Sequence, residues 1–83
     1  MDGKGLEFDE PALYRISISG ALDSSWSDRL GGMDITGSTG PNGRPITVLT
    51  GELTDQVALY SVLQGLHRMG FTLLSVEKMD VDL

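Results

Sequence analysis

Few side chains in this sequence are able to carry chemistry, and the most obvious of them is His67, the only histidine. An imidazole that titrates near neutral pH serves as a general base or a metal ligand when a suitable partner lies beside it. The surrounding pattern predicts a helix in which His67 lies on the polar side, between Leu66 and Arg68, with no acidic or nucleophilic residue at helical spacing. The pattern therefore favours an exposed surface histidine.

The carboxylates give no stronger indication of a metal or catalytic site. Five of them lie near the ends of predicted elements, where helix capping and solvation account for them: Asp23, Asp28, Asp34, Glu52 and Asp55. They do not stand at the spacings typical of calcium, zinc or two-metal sites. The chain has no cysteine, which excludes disulfides, thiolate ligands and cysteine nucleophiles. We predict no catalytic residue, no metal and no cofactor.

Two segments are candidates for ligand binding. The glycine-rich segment 37–44 resembles an anion cradle, because small residues let backbone N–H groups approach a phosphate and Arg44 adds a positive charge. A phosphate loop normally joins a strand to a helix, however, whereas this segment joins two predicted strands, and a hairpin turn is the favoured interpretation. Near Trp26 and Asp28, an indole lies beside polar groups, and anchoring in the core is favoured over a ligand platform. Trp26, Asp28 and Arg44 remain the candidate ligand-proximal residues.

The charge balance narrows the classes of partner. The 83 residues carry a net charge of −6, and the six basic residues are scattered along the chain. Binding to nucleic acids and to anionic membranes depends on clustered positive charge, so neither partner is expected. The sequence shows neither a signal-peptide pattern nor an apolar run of about 18 residues, the minimum for a membrane span. We expect a soluble, cytoplasmic protein.

The segment 51–76 contains the clearest structural element. Six apolar residues form one stripe at 100° per residue: Ala58, Leu59, Val62, Leu63, Leu66 and Met69. Thr54 or Asp55 is expected to cap the start of this helix, and Gly70 to end it in a left-handed conformation. On the opposite side, Val57, Tyr60, Gln64 and His67 form a nearly uncharged strip, which we call the helix strip. An uncharged strip on an acidic protein indicates a contact surface.

The remaining elements are shorter. Alternation predicts strands at 14–19, 33–37, 46–50 and 71–76, and Pro41-Asn42-Gly43 provides the turn of a hairpin between the second and third. Leu22, Trp26 and Leu30, spaced four apart, predict a short helix that Trp26 docks onto the sheet. In the last strand Leu74 and Val76 are expected to face inward. Because Met79 has the opposite parity to Val76, a bulge is expected near Glu77 or Lys78.

This element order predicts an α+β fold, the ferredoxin-like βαββαβ two-layer sandwich, with both helices on one face of a four-stranded antiparallel sheet. The first and third strands are central. Residues 1–12 form a flexible acidic arm and residues 13–83 a single domain, since so short a chain holds only one core. The alternative is a version in which the short helix does not form. Residues expected on the uncovered sheet face are Arg15, Ser17, Ser19, Thr47 and Thr36.

The chain end offers a second candidate contact surface. Met79, Val81 and Leu83 are apolar at alternate positions and have no place in a core that is already complete. Such a tail pairs readily with the edge of a neighbouring sheet, and the uncovered sheet face could also be covered by a second subunit. We therefore predict a homodimer formed by sheet or tail pairing. A frayed terminus is the alternative interpretation.

The sequence also resembles a group of small, uncharacterised stand-alone bacterial proteins over about residues 14–76. The resemblance is based on Leu22-Asp23-x-x-Trp26-Ser27-Asp28, on Gly51-x-Leu53-x-Asp55-Gln56-x-Ala58-Leu59-x-x-x-Leu63, and on Gly70-x-x-Leu73-Leu74-Ser75-Val76. It implies a compact bacterial cytoplasmic protein, and it supplies no activity, cofactor or catalytic residue.

Two functions from different classes follow from these observations. The first is a non-enzymatic protein-interaction or regulatory module that self-associates, most simply as a dimer, or binds another protein. The alternative is a small-molecule sensing domain that holds a metabolite at a subunit interface near Trp26 or the 37–44 segment. An enzyme ranks last, because no nucleophile–base pair or metal set is visible.

Overall fold

The structure, a computed structural model, describes residues 11–79. They form an α+β domain with four strands, one 3₁₀ helix and one α-helix. In chain order these are β1 (Ala12–Ser19), the 3₁₀ helix (Ser24–Leu30), β2 (Asp34–Thr39), β3 (Pro45–Leu53), α1 (Gln56–Arg68) and β4 (Thr72–Met79). β1 begins at Ala12, the last residue of the predicted arm. Val81 and Leu83 of the predicted tail lie outside the described residues.

The strands form one sheet in the order β2-β3-β1-β4, and each neighbouring pair is antiparallel. β1 and β3 are therefore central, as predicted, and β2 and β4 are the edges. Across the sheet, Ile16 of β1 lies opposite Leu49 of β3 on one side and Val76 of β4 on the other. Because directly opposite residues point to the same side, this register fixes the covered face of the sheet.

The core lies between the covered face and the two helices. On β1 the alternation is as predicted, with Tyr14, Ile16 and Ile18 buried and Arg15 exposed on the other face. The remaining buried apolar side chains come from the 3₁₀ helix and its following loop, from β3 and from α1: Leu30, Met33, Leu49, Leu53, Val62 and Leu66. The predicted stripe of α1 faces this cluster, with Val62 and Leu66 at its centre and Leu59 and Leu63 half-buried beside it.

Helix α1 begins and ends where its sequence signals stand. Asp55 is the N-cap, and its Oδ1 accepts a 2.8 Å hydrogen bond from the Ala58 amide, which resolves the choice between Thr54 and Asp55. At the other end Gly70 has φ +89°, and the Phe71 amide donates to the Leu66 carbonyl. The Gln56 side chain donates to the Tyr14 hydroxyl, which ties the first turn of α1 to β1.

The short helix forms, but its geometry and its anchor differ from the prediction. It is a 3₁₀ helix capped by Asp23, whose Oδ1 accepts from the Ser25 amide at 3.1 Å. A 3₁₀ helix has three residues per turn, so residues three apart share a side and residues four apart do not. Leu30 is consequently buried while Trp26 is 37% exposed. The expectation that Trp26 docks this helix in the core is wrong.

Thr47 was expected on the uncovered face and lies instead on the covered one. It stands opposite Ile18 of β1 and Gly37 of β2, and it is buried. Its Oγ1 donates a 2.6 Å hydrogen bond to the Gly20 carbonyl and accepts a 3.0 Å bond from the Leu22 amide. These two bonds satisfy the buried hydroxyl and hold the segment that leaves β1.

The last strand continues to Met79 and carries its irregularity at an unexpected place. Ser75 lies opposite Ser17 and Leu73 opposite Ile18, so Leu74 is the extra residue of a bulge. The pairing is regular at Glu77 and Lys78, where the bulge was predicted. Met79 has the opposite parity to Val76 because it points to the other face of the sheet, where it lies opposite Leu13 on the uncovered face.

Candidate functional site

The edge strand β4 exposes apolar side chains on the side of the sheet that holds the core. Val76 and Leu73 lie opposite Ile16 and Ile18, both of which are completely buried, and the bulge places Leu74 beside Leu73 opposite Ile18. Nevertheless Leu73, Leu74 and Val76 are 48%, 51% and 37% exposed. We call these three residues the β4 patch. Leu74 and Val76 were predicted to face inward. Val76 does lie on the core side of the sheet, but neither residue is buried, so the prediction that they are covered is wrong.

The placement of the helices explains the open edge. The 3₁₀ helix packs against β2 and α1, while α1 contacts the 3₁₀ helix, β3 and β4. Two helices, one of them only seven residues long, do not cover β4 completely, and the side chains of the β4 patch stay partly in solvent. Neighbouring apolar side chains on a strand that forms the edge of the sheet, as β4 does within residues 11–79, are typical of a protein contact site.

The charges near the β4 patch are balanced. Glu77 Oε1 accepts from Arg15 Nε at 2.8 Å and lies 2.7 Å from Arg15 Nη2, on the uncovered face. This pair is exposed and contributes at most about 1 kcal/mol to stability. Residues 11–79 hold six acidic and five basic side chains, so five of the six net negative charges belong to the terminal segments. The sheet edge itself is therefore not strongly repelled by an acidic partner.

The helix strip lies in solvent, as its position in the sequence indicated. Val57 and Tyr60 are 68% and 62% exposed, and Gln64 and His67 are exposed as well. Gln64 Nε2 donates a 3.0 Å hydrogen bond to the Tyr60 hydroxyl one turn away. This bond holds the phenol along the helix surface, so the strip is a second candidate contact surface.

The uncovered sheet face is less polar than the sequence suggested. Val48 lies opposite Ser17, Ile46 opposite Ser19, and Leu13 opposite Met79. These four apolar side chains are half-buried among their neighbours. Ile46 and Val48 were not predicted on this face because Thr47 was assigned to it. The apolar residues on either side of Thr47 could have indicated the opposite assignment.

The candidate ligand-proximal residues do not form one site in the structure. Ser25, Trp26 and Arg29 line a shallow, open depression, in which the Arg29 guanidinium lies 5.3 Å from the centre of the Trp26 ring. Trp26 and Arg29 meet because residues three apart share a side of a 3₁₀ helix. Asp28 is exposed on the same helix, whereas Arg44 lies in the β2–β3 hairpin turn.

The hairpin turn uses its own backbone donors. The Gly40 amide donates to the Arg44 carbonyl at 2.7 Å, and the Gly43 amide donates to the Gly40 carbonyl at 2.9 Å. The Arg44 amide donates to Asn42 Oδ1 at 3.1 Å. An anion cradle needs these N–H groups to point at the ligand, so the geometry matches a hairpin turn and not a phosphate loop.

Within residues 11–79, no three His, Asp or Glu side chains are grouped so that they could hold a metal ion. No helix in this part of the chain is long and apolar enough to cross a bilayer.

The fold and the open margin define a small α+β protein with an antiparallel sheet and an apolar edge strand. The chain belongs to the family described as Domain of unknown function (DUF8691), whose sequence profile matches residues 13–77. Comparisons with curated proteins and with solved structures found no match.

Proposed function

We propose that this protein is a non-enzymatic protein-interaction module that self-associates. The observation that carries the proposal is the β4 patch, where Leu73, Leu74 and Val76 are exposed beside the free edge of the sheet. Burying about half the surface of three such side chains contributes roughly 0.8–1.5 kcal/mol for each of them. In a symmetric dimer that buries this margin, the patches of both copies therefore contribute to the stability of the contact.

The arrangement of the fold supports this use of the sheet margin. We infer a ferredoxin-like βαββαβ sandwich for two reasons. The strand order β2-β3-β1-β4 places β1 and β3 at the centre of the sheet. The 3₁₀ helix connects β1 to β2, and α1 connects β3 to β4. Such a two-layer fold keeps one sheet face and two edges available for partners. We place the module in the bacterial cytoplasm, which the cysteine-free sequence suits.

Mass measurement tests self-association. We expect light scattering on the full chain to give twice the 8.9 kDa chain mass at high concentration, with dissociation on dilution. A mass of one chain at every concentration would refute the proposal. The Tyr60→Asp variant tests the competing surface. A dimer formed through the helix strip would dissociate on this change, whereas a dimer formed through the β4 patch would stay intact.

The Trp26 depression favours a second candidate function, the sensing of a small molecule. An indole stacked with a guanidinium offers an aromatic face and a positive charge to a planar carboxylate ligand. A metabolite present at 100 times its dissociation constant adds roughly 2.7 kcal/mol to stability, which a thermal shift screen detects readily. The sensor proposal requires a shift that Trp26→Ala abolishes. A screen of small carboxylates without any such shift would reject it.

A further inference from the structure

We propose that two copies join through their β4 edges, in antiparallel orientation about a two-fold axis at Ser75, to form one continuous eight-stranded sheet. This inference rests on the proposed self-association and specifies its surface and its partner, a second copy of the chain. An antiparallel pair of identical strands is isologous, so the same patch serves both sides and the assembly closes as a dimer. Both helical layers then lie on the same side of the joined sheet.

The two edges of the sheet are not equivalent, and only β4 suits this pairing. β2 has six residues, and five of them are exposed and polar or lack a side chain: Asp34, Thr36, Gly37, Ser38 and Thr39. β4 has eight residues and carries the three apolar side chains of the β4 patch. An edge that is long and apolar invites strand addition, whereas a short polar edge resists it.

The electrostatics of β4 permit two acidic molecules to meet there. The edge strand carries one negative and one positive side chain, Glu77 and Lys78, and Arg15 of the neighbouring strand binds the former. Most of the net negative charge lies in residues 1–10 and 80–83, not on this strand. The strand itself therefore adds no net charge to the pairing.

The side chains of β4 favour one position for the two-fold axis. Directly opposite residues must point to the same side of the sheet, so the axis passes through a residue and its own symmetry copy. An axis at Glu77 or Lys78 places like charges opposite each other, which is unfavourable. An axis at Val76 places the apolar Leu74 opposite the charged Lys78 of the other copy, which is also unfavourable. An axis at Ser75 places Leu74 of each copy opposite Val76 of the other, which buries four apolar side chains beside the helices, and it pairs the two serines on the uncovered face.

The absence of cysteine from the chain allows the register to be tested by single-cysteine cross-linking in the full-length protein. Opposite Cα atoms in an antiparallel pair are about 4.5–5.5 Å apart, within the range of a disulfide. We therefore expect Ser75→Cys to form an interchain disulfide under mild oxidation. Thr72→Cys is the matched control, because it lies exposed on the same strand and about 20 Å from its symmetry copy. Ser38→Cys reports on the β2 edge.

The possible outcomes separate this inference from the proposed function. Cross-linking at Ser75→Cys but not at Thr72→Cys or Ser38→Cys supports the β4 pairing. A dimer by light scattering that gives no Ser75→Cys cross-link, or gives one at Ser38→Cys, overturns the inference and leaves self-association intact. A protein that is monomeric throughout overturns both.

A second variant tests the same pairing without a disulfide. Ser75→Lys places two ammonium groups at the two-fold axis, and like charges that face each other raise the dissociation constant of the dimer by roughly tenfold or more. Ser75 is exposed, so the unfolding midpoint at low protein concentration should not change. An unchanged dissociation constant in a folded Ser75→Lys protein would overturn the inference.

Discussion

Leu73 lies directly opposite Ile18 in the β1–β4 ladder, yet Ile18 is completely buried and Leu73 is 48% exposed. The two side chains share one face of one sheet, but Ile18 lies on a central strand and Leu73 on an edge strand. Helix α1 contacts β4, but it leaves the side chains of the β4 patch partly in solvent. This difference in coverage, and not any catalytic or ligand-binding constellation, is the feature of the domain that best indicates a function.

The first prediction concerns the hydroxyl of Thr47. Thr47→Val keeps the shape of the side chain but removes the partner of the Gly20 carbonyl and the Leu22 amide. We expect a loss of about 1–3 kcal/mol in the free energy of unfolding, measured by urea denaturation. Thr36→Val on the exposed outer face of β2 is the control and should change stability by less than about 0.5 kcal/mol. Equal effects of the two variants would contradict the assigned role.

The second prediction separates crowding from backbone strain at the end of the 3₁₀ helix. Gly31 and Gly32 have nearly the same left-handed φ, +74° and +71°. A Cβ at Gly31 would lie 2.8 Å from Leu53 Cδ2, whereas a Cβ at Gly32 would meet nothing within 4 Å.

Both alanine variants should therefore lose about 1–2 kcal/mol from the left-handed conformation. Gly31→Ala should lose a further 1–3 kcal/mol or so from overpacking. Thermal unfolding of the two proteins gives the difference directly. If Gly32→Ala were the less stable variant, the packing described for Gly31 would be incorrect.

The third prediction identifies the anchor of the 3₁₀ helix. Leu30 is buried in the core, so Leu30→Ala should reduce the free energy of unfolding by about 2–5 kcal/mol. Trp26→Ala removes a larger but partly exposed side chain and its stacking with Arg29, and should cost only about 1 kcal/mol. Urea denaturation of both variants measures the comparison. If Trp26→Ala reduced the free energy of unfolding more than Leu30→Ala, Trp26 and not Leu30 would be the anchor.

The sequence was sufficient to predict the elements whose signals act locally. Helix α1 was predictable because its apolar stripe, its Asp55 cap and its Gly70 stop agree over thirteen residues. The β2–β3 hairpin was predictable because Asn42-Gly43 specifies a turn regardless of the surrounding fold. The alternation of β1 was sufficient to identify which side of the sheet holds the core.

The errors arose where neighbouring strands or layers decide the outcome. Seven residues are too few to distinguish a period of 3.0 from 3.6, so the 3₁₀ helix was predicted with Trp26 on its buried side. In the run Ile46-Thr47-Val48-Leu49 both parities contain apolar residues, and only the pairing with Ile18 assigns Thr47 inward. The exposure of the β4 patch depends on how far the helices extend across the sheet, which no local pattern encodes.

The most direct test of the account is the molecular mass of the Leu74→Lys variant, measured by sedimentation equilibrium beside the wild type and Ser38→Lys. Both substituted residues are exposed and lie on edge strands, so neither lysine should unfold the domain. We predict that the wild type and Ser38→Lys have twice the 8.9 kDa chain mass, and that Leu74→Lys shifts towards a single chain. A dimer that Leu74→Lys leaves intact, or that Ser38→Lys dissociates, would contradict the claim that β4 is the self-association surface.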